Sequence, residues 1–211
     1  MSIYDKTLNE YLDVAASDAP TPGGGSVSAI VATNAAAMVC MVANLTIGKK
    51  KYEEYEEQAK TIAAKGYELI DQLKDLTARD MAAFDAFVTA WRMPSETDAE
   101  KVAKAEANEK AAQNATTVPM EICKVCLEIM KLAKELAPFG NLSAISDCGV
   151  ASLIAEGAMK ACMLSVDINL PGLKTAEFAD AMTRERARLF AEAEDLKIYA
   201  LADVKARMSG H

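Results

Sequence analysis

Two aspartates in this 211-residue chain stand where a carboxylate is either costly or purposeful, and three lysines stand side by side in a sequence whose net charge is −8. Projecting residues 69–91 on a helix places Leu69, Leu73, Leu76, Asp80, Phe84, Phe87 and Trp91 on one stripe, because they recur at steps of three and four. Asp80 interrupts that apolar face. A carboxylate there must be paired, hydrogen-bonded or raised in pKa, which suits acid–base or ligand-binding work and also suits an ion pair within a core. Asp85 falls well off the stripe and is expected in solvent. Asp147, in "GNLSAISDCGVASLIAEGA", begins a second helical pattern, where with Ser146 it is explained by capping and by complementing the helix dipole. The loop before it, with Asn141, is polar yet uncharged, as a surface that hydrogen-bonds a flat heterocycle would be.

The stretch "APTPGGGSVSAIVATNAAAMVCMVANLTIGKKKY" joins three glycines to those lysines. A phosphate loop of the Walker type needs a glycine five residues before its Gly-Lys and a hydroxyl residue directly after, but Ala43 and Lys50 occupy those places. No strand pattern leads into "PGGGS", so it is not a dinucleotide fingerprint either. Gly23, Gly24 and Gly25 still let a ligand approach the backbone, and Ser26 is placed to cap a helix whose free N–H groups favour an anion or electron-rich group. A plain turn with a good N-cap reads equally well. Lys49, Lys50 and Lys51 fit a solvated helix end, and they also form the most concentrated basic site the chain offers to a carboxylate ligand.

Ala, Leu, Met, Glu and Lys dominate the long segments between the Gly and Pro punctuation, so the chain reads as all-α, a single-domain bundle of long helices over 1–211. Helices are expected at roughly 4–18, 26–47, 52–92 with a break left open, 96–137 with a kink at Pro119, 147–168 and 175–208. From Ala19 to Gly48 there is no charged residue, a length that could cross a bilayer. Ser26, Ser28, Thr33, Asn34, Asn44 and Thr46 interrupt it, Ala outweighs Leu and Phe, and no aromatic belt flanks it, so a buried central helix is the expectation and no membrane partner.

The acidic balance argues against nucleic acid as a partner. The opening "MSIYDKTLNEYLD" carries charges where a signal peptide needs an apolar region, so the expected compartment is the cytoplasm. Five cysteines there are expected reduced and buried. Cys123 and Cys126 spell one CxxC without a second, and the only histidine is His211, so no metal site is expected.

Taken together, "PTPGGGSVSA", "NLTIGKKKY", "DMAAFDAF", "GNLSAISDCGVA" and "INLPGL" closely resemble the formiminotransferase-cyclodeaminase C-terminal domain family, in its order and spacing and over essentially the whole chain. The resemblance implies a cyclodeaminase-like all-helical fold, a homodimer, and action on folate one-carbon units with no metal and no cofactor beyond the tetrahydrofolate substrate. Because Met1 leads directly into the first helix, without the formiminotransferase domain that bifunctional members carry ahead of this one, the likeness is closest to stand-alone bacterial cyclohydrolases. It implies hydrolysis of 5,10-methenyltetrahydrofolate to 10-formyltetrahydrofolate, with formimidoyltetrahydrofolate cyclodeamination as the alternative. In that scheme Asp80 and Asp147 divide proton transfer and pterin recognition. Asn141 and Ser146 hydrogen-bond nearby, Gly23 to Ser26 admit the ligand, and Lys49 to Lys51 meet its glutamate. A helical module that binds folate without turning it over remains a reading from a different class. A helix of about 22 residues is roughly 33 Å long, so a folate that uses both ends of the segment 26–47 requires a bend or a second subunit.

Overall fold

Helix periodicity carries through into six α-helices in the computed structural model, which describes residues 2–210; His211 lies outside them. They are α1 (Leu8–Ala15), α2 (Gly24–Thr46), α3 (Glu56–Trp91), α4 (Asp98–Leu136), α5 (Ile145–Asn169) and α6 (Ala176–Ser209), and no strand occurs among the described residues. The long third segment is unbroken from Glu56 to Trp91, and Pro119 sits inside α4. Reciprocal capping boxes start α1 (Thr7 with Glu10) and α4 (Thr97 with Glu100), each satisfying orphan N–H groups at a helix entry.

Two other helices take their caps from elsewhere in the chain. The N-cap of α6, Thr175, makes no side-chain cap bond; instead Glu109 on α4 accepts from the N–H groups of Lys174 and Thr175 at 2.9 and 3.0 Å. Those amides, with the Thr175 and Gln113 side chains, hold the Glu109 carboxyl down to about 2. The entry to α2 is served in the same way by α3, as described below.

Helix α2 packs on α3, α4 and α5, and α4 packs on α2, α3, α5 and α6. Small residues on α2 and α5, among them Ala29, Ala32, Ala36, Ala151 and Ala155, are fully or almost fully buried and let these helices approach closely. The expectation that α2 is enclosed on all sides is only half met. Val31, Asn34, Asn44 and Leu45 lie along an exposed stripe, and α4 holds the more central place. Helix α5 carries a matching exposed stripe of Val150, Leu153, Leu164 and Ile168. Helix α2 and the segment Leu142–Gly172 are each long and apolar enough to cross a membrane, and both are more than half buried within the protein. All five cysteines are free and buried, as expected of their type.

At its far end α2 is stopped by Gly48, whose φ of 71° is the left-handed conformation that glycine adopts without strain. The loop 138–144 is then tied back onto that end. Asn141 N donates to Thr46 Oγ1 at 2.8 Å, Asn141 Nδ2 donates to Leu45 O, and Leu142 N donates to Tyr52 Oη at 2.9 Å. Thr46 is buried, so Thr46→Val keeps the shape while orphaning the Asn141 N–H. Urea unfolding should show a loss of about 1–3 kcal/mol with an unchanged m-value.

Candidate functional site

The aspartate that interrupts the α3 stripe marks where that face leaves the core. Leu73 and Leu76 are fully buried, whereas Phe84 and Phe87 are partly open and Trp91 is more so. Phe84 and Phe87 form a wall of a cavity of about 440 Å³, between the start of α2 and the facing parts of α3, α4 and α5. That volume lies within the ~300–1,000 Å³ usual for small-molecule sites. Gly24, Gly25, Asp80, Ser165 and Asn169 also line it.

Asp80 holds the entry to α2. The helix starts at Gly24 with Gly23 as N-cap and no side-chain cap bond, so Ser26 is not the N-cap its sequence position suggested but the third helical residue. Its hydroxyl donates to Asp80 Oδ2 at 2.7 Å, and its backbone N–H faces the carboxylate closely enough to favour the ionised form. The cap therefore arrives from a residue 54 positions away. Gly25 makes this possible: a Cβ there would lie 2.7 Å from both Asp80 Cγ and Oδ2, and closer still to Oδ1. The carboxylate rests directly on the glycine backbone, with the positive end of α2 beneath it. Burial raises the Asp80 pKa, and the Ser26 hydroxyl and backbone amide offset that only in part. The result is a carboxylate with heightened basicity beside a cavity, the condition a general base requires.

The other residues singled out from sequence lie at the opposite pole of α2. Asn141 is bound to Leu45 and Thr46, and its Oδ1 accepts from Ser143 N, so both ends of its side chain are engaged in the fold. Ser146 is exposed and Asp147 half-buried in the first turn of α5, whose N-cap is Ala144; neither residue caps the helix. Asp147 sits with Arg207 near Cys148. Burial pushes that thiol up to about 12, Arg207 opposes the rise and Asp147 adds to it. Lys49, Lys50 and Lys51 are exposed, with Glu53 and Glu56 beside the first two and Lys51 Nζ 5.7 Å from the Tyr52 ring centre. The basic run is thus tempered by neighbouring carboxylates.

Within one protomer the structure brings Gly23, Gly24, Gly25, Ser26 and Asp80 together and keeps Asp147, Ser146, Asn141 and the lysines apart from them. Ser165 lies beside Gly24, and its offset of 18 positions along α5 from Asp147 spans roughly 27 Å at 1.5 Å per residue. Helix α2 runs as one helix from Gly24 to Thr46, so it does not fold back to close that gap. Sequence reading missed Ser165 and Asn169 as cavity residues. It read Phe84 and Phe87 only as part of an apolar face.

The raised pKa of Asp80 fixes the sign of a stability test. The unfolded aspartate ionises near 3.8, before the folded one does, so stability falls as pH rises through the folded value. Asp80→Asn keeps an acceptor for Ser26 and removes the half-buried charge. Its melting temperature should equal or exceed that of the wild type at pH 7, and the difference should vanish below pH ~4.

The sequence profile of the family described as formiminotransferase-cyclodeaminase matches residues 7–188. A methenyltetrahydrofolate cyclohydrolase of Methylorubrum extorquens is 42% identical, over 97% of this chain and 99% of its own length. The formimidoyltransferase-cyclodeaminase of Mus musculus is 28% identical over 98% of this chain, which spans 38% of that protein. The crystal structure of formiminotetrahydrofolate cyclodeaminase from Thermotoga maritima superposes with a TM-score of 0.86 at 29% identity, covering 99% of this chain and 98% of the other. By a profile that takes in most of its length and a full-length relative well above 30% identity, the chain belongs to the formiminotransferase-cyclodeaminase family.

Proposed function

We propose that this protein is a methenyltetrahydrofolate cyclohydrolase, converting 5,10-methenyltetrahydrofolate and water to 10-formyltetrahydrofolate in one-carbon metabolism. The observation that carries the reading is the Asp80 carboxylate, seated at the start of α2 on the wall of the 440 Å³ cavity, in a chain that aligns end to end with a cyclohydrolase. The substrate is a delocalised cation whose reacting carbon bridges N5 and N10. Water adds to that carbon and gives a proton to Asp80, leaving a neutral tetrahedral adduct. The carbon–N5 bond then breaks, N5 takes up a proton, the adduct hydroxyl loses one, and the formyl group stays on N10. One proton is released overall. A carboxylate serves this sequence twice, as base and as counter-charge to the cation. Phe84 and Phe87 suit the flat rings. The residues 1–211 act as one domain in this reading, with no cofactor or metal required.

The two poles of α2 meet in the same reading only through a second copy. A homodimer built on the open stripes of α2 and α5 is isologous, and if the two copies of α2 run antiparallel it sets the glycine pole of one against the lysine pole of the other. Asp147 and Lys49 to Lys51 of one subunit then face the Asp80 cavity of its neighbour, where the lysines meet the folate glutamate. The long apolar helices serve a bundle and its interface rather than a bilayer. The enzyme acts in the cytoplasm, with neither nucleic acid nor membrane as partner. The Thermotoga maritima structure favours a second reading, cyclodeamination of formimidoyltetrahydrofolate with release of ammonia.

Purified protein should accelerate the loss of near-ultraviolet absorbance of methenyltetrahydrofolate over the spontaneous rate. Asp80→Asn should lower that rate at least a hundredfold, within the range of a lost general base. Ammonia release from formimidoyltetrahydrofolate exceeding methenyl hydrolysis would favour the second reading. A spectral shift without conversion of either substrate would leave only a binding module. Sedimentation at micromolar concentration should give twice the chain mass, and a monomer would contradict the shared site.

A further inference from the structure

Pro119 interrupts the hydrogen-bond ladder of α4 at the wall of the cavity. Having no N–H, it leaves the carbonyl of Ala115, four residues back, without its helical donor. The missing donor comes from α5. Asn169 Nδ2 donates to Ala115 O at 2.9 Å and also to Ser165 O at 2.9 Å. Both amide hydrogens are then spent on carbonyl oxygens, and turning the amide over would set Oδ1 against those same two oxygens. Its orientation is fixed by two helices at once.

What remains of the side chain is Oδ1. It has no partner among the described residues, and it is not one of the sealed, unpartnered polar atoms, which are Asn108 Oδ1 and Ser152 Oγ. Asn169 lines the same cavity as Asp80. The proline creates a need that the asparagine meets, and the outcome is a neutral carbonyl acceptor held in a set direction at an accessible wall. Pre-oriented acceptors discriminate strongly, because a ligand without the matching donor leaves them unpaired. The cavity therefore offers two acceptors of different kind: Asp80, charged and basic, and Asn169, neutral and immobile.

We propose that Asn169 is a specificity-determining residue of this site, its Oδ1 accepting from the N–H donors of the amino-pyrimidinone edge of the pteridine ring. The assignment rests on the folate reading above. It leaves Asp80 free to attend to the cationic bridge, and it divides ring recognition and proton transfer between two residues of one protomer's cavity.

The probes are tetrahydrofolate and its analogue in which the 2-amino group is replaced by methyl, titrated calorimetrically against the dimeric protein. Two variants are compared with the wild type. Asn169→Ala removes the acceptor but also orphans Ala115 O. The double variant Pro119→Ala with Asn169→Ala returns a backbone N–H to Ala115 O, so the helix stays satisfied while the acceptor is gone. The wild type should bind tetrahydrofolate about tenfold more tightly than the analogue, and the double variant should bind the two within about twofold of each other. Because the readout is a ratio between ligands, general loosening of the cavity cancels. A wild type that binds both equally, or a double variant that keeps the wild-type ratio, overturns the role of Asn169 while leaving the folate site standing. Failure of the wild type to bind either ligand overturns the folate reading itself.

Discussion

A helix of 23 residues keeps its two ends apart, and that constraint organises this protein. Helix α2 rises at 1.5 Å per residue and is roughly 34 Å long. At one end the Ser26 hydroxyl holds the Asp80 carboxylate against the bare backbone of Gly25. At the other it is stopped by Gly48 and tied to the loop 138–144 through Thr46 and Asn141. The small residues along its length let α3, α4 and α5 come close enough to hold it. Each pole is consequently well fixed, and neither reaches the other within one protomer.

The same economy of placement appears at two of the helix entries that lack a side-chain cap of their own. Asp80 serves α2 from α3, and Glu109 serves α6 from α4. The two carboxylates differ in consequence. Glu109 keeps part of its surface in solvent and is held low by four hydrogen-bonding groups, so it is simply an anion at a helix end. Asp80 is half-buried beside a cavity with Ser26 as its hydrogen-bonding partner, so desolvation wins and the group is more basic than usual. Chemistry is available where the cap is paid for by burial, and structure alone where it is not.

Much of this was legible in the amino-acid sequence, for physical reasons. Helix positions followed from the spacing of apolar residues, and Asp80 stood out because a charge on an apolar stripe needs an explanation. The sequence could not show which partner supplies that explanation. Ser26 has the right residue type for an N-cap, yet the cap comes from 54 positions away and Ser26 becomes its donor. Pro119 announced a gap in the α4 ladder, but not that Asn169, in "INLPGL", would fill it. Asp147 and the lysines were grouped with Asp80 by chemical need; the length of the segment 26–47 already set the lysines apart from the glycines, and the packing of α5 beside α2 does the same for Asp147.

A site divided between two subunits makes one demand that no single-chain site makes: two different inactive chains must be able to complement each other. Asp80→Asn and Asp147→Asn proteins, each inactive alone, can be unfolded together, refolded as a mixture and assayed for methenyltetrahydrofolate hydrolysis. Random pairing makes half the dimers hybrid, and each hybrid carries one intact site and one doubly altered one. The mixture should therefore recover about a quarter of wild-type turnover. A mixture no more active than the average of its two components would contradict the shared site and require both aspartates to act, if at all, within one chain.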